Sequence, residues 1–168
     1  MKDDFCDAIS RACDRCSLEG GCCRDARPPL TKERIDILMA AGVSEDAIEF
    51  AGYSRLKVGP DGYCVLFKDK RCSVHSIKPE TCVAGPFTFD MKGSTLQIFL
   101  KRPEICPMVD LLRGDREIYE WLFKVAINSI VDLVRALPGE ELEEVLKIEE
   151  PLTDLVAEIG LTDSGTCR

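Results

Sequence analysis

The stretch Phe87-Thr88-Phe89-Asp90-Met91-Lys92-Gly93-Ser94-Thr95-Leu96-Gln97-Ile98-Phe99-Leu100 decides the fold class. Apolar and polar residues alternate from Phe87 to Asp90, and less cleanly from Leu96 to Leu100, which is the period of a strand with one buried face. Lys92-Gly93-Ser94 sits between the two runs, so the stretch predicts an antiparallel hairpin. Upstream, Tyr63 to Phe67 has strand composition. Residues 53–109 as a whole read as short strands and loops. Four cysteines surround the hairpin: Cys64, Cys72 and Cys82 before it, and Cys106 after it.

On either side of this zone the pattern is helical. Thr31 is an expected N-cap, and Leu30 with Ile35 fits a hydrophobic staple. Ile35, Leu38 and Met39 recur at helical spacing until Gly42, and Ser44 predicts a second short helix through Phe50. Downstream, Tyr119, Leu122, Phe123, Ala126, Ile127, Ile130, Val131, Val134 and Leu137 give a long amphipathic helix from Asp115, ended by Pro138-Gly139. Glu140 to Ile148 and Leu152 to Ile159 read as two further helices, and Asp3 to Cys13 as a short one. The acidic run from Glu140 to Glu144 reads as a solvated helix face. The expected fold is α+β and mostly helical by residue count. A small antiparallel sheet carries cysteine-rich loops beside a C-terminal helical region. Residues 1–168 are expected to form one domain, with 10–110 as the cysteine-cluster region and 111–168 as the helical region.

Composition narrows the function. Thirty acidic against 22 basic residues give a net charge of -8, which repels a phosphate backbone and an anionic membrane surface. No apolar run approaches the roughly 18 to 20 residues of a membrane span, and the charged start Met1-Lys2-Asp3-Asp4 has no apolar stretch behind it. The expectation is a cytoplasmic protein with neither nucleic acid nor membrane as partner.

The chain holds ten cysteines and one histidine, His75. In a reducing compartment such a chain more often binds metal than forms disulfides. Any site with several ligands must therefore be dominated by thiolates. Setting aside Cys6 and Cys167 near the termini leaves Cys13, Cys16, Cys22, Cys23, Cys64, Cys72, Cys82 and Cys106 as candidate metal ligands. Eight is the number that two four-thiolate sites require. The Cys13-x2-Cys16 knuckle turns two sulfurs toward one ion, and Gly20-Gly21 lets the loop return with Cys22 and Cys23. The N-terminal and central cysteines are expected to meet in space. His75 is expected to be a packed or hydrogen-bonded ring rather than a ligand, and Lys78 to be either solvated or a neutraliser of nearby thiolate charge.

These residues resemble a cysteine-cluster family known as a zinc- or iron-chelating domain and also labelled iron–sulfur-cluster-containing. One hallmark is the C-x2-C followed by a Cys-Cys pair, here Cys13, Cys16, Cys22 and Cys23, with a longer gap after Cys16 than the commonest form. The second resembles C-x-I-Y-x-x-R-P-x-x-C after an earlier cysteine. Here it reads Cys72-Ser73-Val74-His75-Ser76-Ile77-Lys78-Pro79-Glu80-Thr81-Cys82 after Cys64, with His75 for the aromatic and Lys78 for the arginine. Leu30-Thr31-Lys32-Glu33 is similar to the family's helix entry. The resemblance covers roughly residues 10–110 and implies eight cysteine ligands.

Zinc and iron–sulfur clusters both accept four thiolates, so ligand type leaves them open. The family label and Cys106-Pro107 tilt the expectation to one or two iron–sulfur clusters, in a protein that transfers electrons or assists another enzyme, with a protein partner. The alternative is a structural zinc-binding interaction module without catalysis. The chain offers no base, nucleophile or phosphate loop that would define a reaction.

Overall fold

The computed structural model describes Ile9, Arg11 and residues 21–161, and everything below refers to these. In chain order the elements are α1 (Lys32–Ala40), β1 (Ile48–Phe50), β2 (Ser54–Leu56), β3 (Phe67–Lys68), β4 (Arg71–Cys72), α2 (Glu80–Ala84), β5 (Phe87–Lys92), β6 (Thr95–Lys101), α3 (Met108–Gly114), α4 (Arg116–Ala136), α5 (Gly139–Leu146) and β7 (Thr153–Gly160). Tight 3-10 turns occupy Gly21–Cys23, Glu45–Ala47 and His75–Ile77. The class is α+β, about 43% helix and 25% strand, as expected.

The predicted hairpin forms from β5 and β6, with Phe87 opposite Leu100 and Lys92 opposite Thr95. Two residues, Gly93 and Ser94, make the turn. Only Gly93 has positive φ, at 60°, which is the type II′ geometry that matches strand twist. One sheet face is apolar: Phe87, Leu96, Ile98 and Leu100 are buried against Ile118, Leu122, Ala126 and Ile130 of α4. Phe87 meets the rings of Tyr119 and Phe123 at 5.7 and 5.4 Å, one edge-on and one tilted. The long helix starts where expected, because the Asp115 carboxylate accepts from the Glu117 and Ile118 N–H groups at 3.0 and 3.1 Å. Ile9 and Arg11, the described part of the expected N-terminal helix, are helical, and Ile9 packs on this core.

The expected helix from Leu152 to Ile159 is instead strand β7, paired antiparallel to the free edge of β6. Leu152, Leu155, Val156 and Ile159 do stand at helical spacing. A register shift between Ile98 and Phe99 explains the misreading: Ile98 faces Ala157 but Phe99 faces Leu155, so Val156 is the extra residue of a bulge. The bulge breaks the strand alternation, and the need to pair an otherwise open edge outweighs a helix whose apolar stripe would find no core.

The other half of the molecule is built differently. Thr31 Oγ1 accepts the Arg34 N–H at 3.1 Å, Leu30 and Ile35 share one apolar cluster, and the chain leaves α1 through Gly42 at φ 90°. Ser44 caps as expected, but only a 3-10 turn follows. Ile48 to Phe50 is strand β1, pairing with β2 across a turn at Gly52. A long-range ladder there replaces the expected local helix. Tyr63 to Phe67 is mostly loop rather than strand. The Cys64 N–H bonds the Cys23 carbonyl and the Phe67 N–H bonds back to the Cys64 carbonyl, both at 2.8 Å, so the backbone closes turns instead of a ladder.

The two halves meet along α2, which packs on α4, and at Tyr53, which packs with Leu133, Leu137 and Val145. The acidic run on α5 takes part: Glu141 accepts the Ser54 N–H at 2.9 Å, and a side chain at Gly52 would lie 3.0 Å from Glu144. Among the described residues, no helix is long and apolar enough to cross a membrane.

Candidate metal centre

Three chain segments bring cysteines together. The first is the turn Gly21–Cys23. Its Cys23 carbonyl is tied to Cys64, Arg24 bridges Tyr63, and the Asp25 N–H reaches the Gly62 carbonyl at 2.8 Å. Asp25 sits at φ 51°, and the chain then passes through buried Pro28 and Pro29 to α1. The Cys-Cys pair is thereby laid along residues 62–64.

The second segment is the β3–β4 hairpin, which places Cys72 opposite Phe67. Its two-residue turn, Asp69-Lys70, has φ of 50° and 63°, the paired left-handed geometry of a type I′ turn. Beyond it, both the N–H and the hydroxyl of Ser73 donate to the Leu66 carbonyl at 2.8 Å. Cys64 is buried, and Cys23 and Cys72 pack beside it, in a cluster with Leu30, Leu38, Leu56, Leu66 and Val74.

The third segment runs from the His75–Ile77 turn through buried Pro79 into α2, which carries Cys82 and packs along α4. His75 itself is exposed.

The thiols sense one another. A hydrogen bond from Cys23 holds the Cys22 sulfur down to about 6, helped by the cations of Lys78 and Lys101 and opposed by burial. The same hydrogen bond keeps the proton on Cys23, whose pKa is raised further by burial and by Cys22, Cys72 and Cys82. Burial pushes Cys82 up to about 12; Lys78 pulls it down, and Cys64, Cys72 and Cys22 push it up. Cys64 is raised by burial and by Cys72, against the Leu66 N–H. Cys22, Cys23, Cys64, Cys72 and Cys82 thus form one electrostatic neighbourhood.

Such a set suits a metal. Protons held on thiols by burial, and less strongly by neighbouring sulfurs, are what a thiophilic cation displaces, and its charge offsets both. The donors are all sulfur, which fits zinc or iron. Among the described residues, no three His, Cys, Asp or Glu side chains stand together so that they could hold a metal ion, so the thiols would have to draw closer to bind one. Cys13 and Cys16, like Cys6 and Cys167, lie outside the described residues, and so does the expected approach of Cys13 to Cys82. Cys106 lies in the turn before α3, packed on the sheet–helix core.

Residues 12–110 match the CxxCxxCC family, described as "Putative zinc- or iron-chelating domain". The chain belongs to this family. Zinc or iron chelation by its cysteines is the chemistry that membership supports. The family name spaces its second and third cysteines by two residues, whereas five separate Cys16 from Cys22 here. No curated protein and no solved structure matches the chain.

Two contributors escape a reading by spacing. Lys101 closes β6, far along the chain from Cys22. Arg34 bonds residues 43 and 46 positions away. Neither lies in a cysteine motif, and only the tertiary fold brings them there.

Proposed function

We propose that this CxxCxxCC chain is an iron–sulfur protein, holding one or two clusters on thiolates from Cys22, Cys23, Cys64, Cys72 and Cys82 together with Cys13, Cys16 and Cys106. A cluster bound there would supply one-electron chemistry, in electron transfer or in support of a partner enzyme. The observation that carries this reading is the convergence of five cysteines from three segments. Lys78 and Lys101 stand near enough to offset part of the negative charge that bound sulfur brings. The reading places the protein in the cytoplasm, acting as one domain with a protein partner.

A structural zinc module is the second reading, favoured by one feature. Strands β3 and β4 are two residues each, so this half of the fold has little ladder of its own and an ion would replace missing core. Anaerobic purification followed by visible absorbance and metal analysis decides between them. Brown protein with iron and acid-labile sulfide supports the cluster. Colourless protein with stoichiometric zinc overturns it in favour of the second reading, and protein that takes up neither metal overturns both.

A further inference from the structure

Arg34 lies on α1, yet among the described residues its side-chain bonds go to the third cysteine segment. Its Nε and Nη2 donate to Glu80 Oε1 at 3.0 and 2.8 Å, and Nη1 donates to the Ile77 carbonyl at 3.1 Å. These acceptors bracket Lys78-Pro79. Pro79 is fully buried, and its ring fixes the backbone between the two anchors. One guanidinium therefore pins both ends of a four-residue stretch. That stretch carries the cation beside Cys22 and leads within two residues to Cys82.

Glu80 is buried and Arg34 largely so, with the side chains 11% and 19% exposed. Glu80 Oε2 is left as a buried oxygen without a hydrogen-bond partner among the described residues. A buried ion pair gains little net stability, because desolvation offsets the attraction, and an unpartnered oxygen adds a cost. What the arrangement supplies is geometry. One edge of the planar fork converges on Glu80 Oε1 while the remaining amino group reaches a second acceptor, the Ile77 carbonyl, and the point charge of a lysine cannot span both.

We propose that Arg34 is a positioning residue for the metal centre: by clamping Ile77 and Glu80 to α1, it sets where Cys82 and Lys78 stand relative to Cys22 and Cys23. The inference rests on the metal-binding reading above, but Arg34 ligates nothing. Loss of a residue that orients a metal ligand typically lowers metal affinity about 10- to 100-fold.

The test compares wild type with Arg34→Met, Arg34→Lys and Glu80→Gln in the full chain. Two quantities are read: zinc affinity by chelator competition, and the maleimide alkylation rate of Cys82 in metal-free protein, resolved by peptide mass mapping. Trp121 fluorescence, from α4, reports that the sheet–helix core is folded. Arg34→Met is expected to weaken zinc at least about tenfold and to speed Cys82 alkylation with the Trp121 signal unchanged. Arg34→Lys should fall between it and wild type, and Glu80→Gln, which keeps Arg34 and an acceptor oxygen, should stay near wild type in both quantities. A folded Arg34→Met with wild-type zinc affinity and Cys82 rate overturns the proposal. If that variant does not fold, Arg34→Lys decides in its place: wild-type values for both quantities overturn the proposal, and a shift in both supports it. If wild type takes up no metal, the metal reading fails, and the alkylation rates alone decide whether Arg34 positions Cys82.

Discussion

The two halves of this molecule are ordered by different means. Around α4 and the three-stranded sheet, Leu96, Ile98, Ala126 and Ile130 are fully buried, and apolar residues at strand and helix periods meet face to face. Around the thiols, strands are two or three residues long, and Asp25, Asp69 and Lys70 hold left-handed backbone that costs free energy. There the chain is fixed by single hydrogen bonds, a buried ion pair and a small apolar cluster that includes Cys64. One half is held by area removed from water. The other gathers thiols on which burial holds the protons that a bound ion displaces.

Removing the metal should therefore expose the contrast most strongly. Binding free energy of a structural metal is folding free energy, about 10–16 kcal/mol for a thiolate zinc site in small fingers. Hydrogen exchange measured before and after chelation is expected to show protection lost over residues 21–31 and 57–84. Protection across α4 and β6 should remain. Equal loss in both halves would mean that they are one cooperative unit. Cys82→Ser should reproduce the chelated pattern, and Cys167→Ser should not.

The converse experiment attacks the other half. Ile130→Ala deletes fully buried methyl and methylene groups between α4 and the sheet, and such truncations cost about 2–5 kcal/mol. Denaturant unfolding followed by Trp121 is expected to show that loss, while metal bound per folded molecule stays at the wild-type value. A fall in metal stoichiometry would show that the thiol half depends on this core, through α2 packed along α4 and through Tyr53.

The same contrast explains what the sequence made legible. Periodicity is a local property, and it located the β5–β6 hairpin and α4 because their neighbours are close in sequence or their stripes are long. It failed for β7, where one bulge residue, Val156, turns a strand into an imitation of a helical stripe. It failed again at Ile48–Phe50, where pairing with β2 outweighs a capped turn. The cysteines stood out by their spacing alone. The residues that arrange them did not. Arg34, Lys101 and Glu141 look like ordinary surface charges until the fold brings them to the His75–Ile77 turn and its continuation to Glu80, to Cys22 and to Ser54.

The smallest expected effect sharpens the comparison most finely, because it applies one chemical change to each half. Thr31 and Asp115 are both N-caps, of α1 and α4. Replacing either by alanine removes an acceptor from the first turn and costs about 1 kcal/mol. The two losses should be felt in different places. α4 carries a long apolar face, so Asp115→Ala should lower global stability by about that amount, read by denaturant midpoint, with metal retention unchanged. Thr31 is buried, stands between the Cys-Cys pair and Arg34, and bonds the Arg34 N–H itself. Thr31→Ala should loosen the turn from which the guanidinium reaches Ile77 and Glu80. The expected outcome is faster metal loss to a chelator and faster exchange at residues 31–35, with little change in the Trp121 transition. Identical responses from the two variants would show that a cap is only a cap here, and that the thiol half borrows its order from the large core after all.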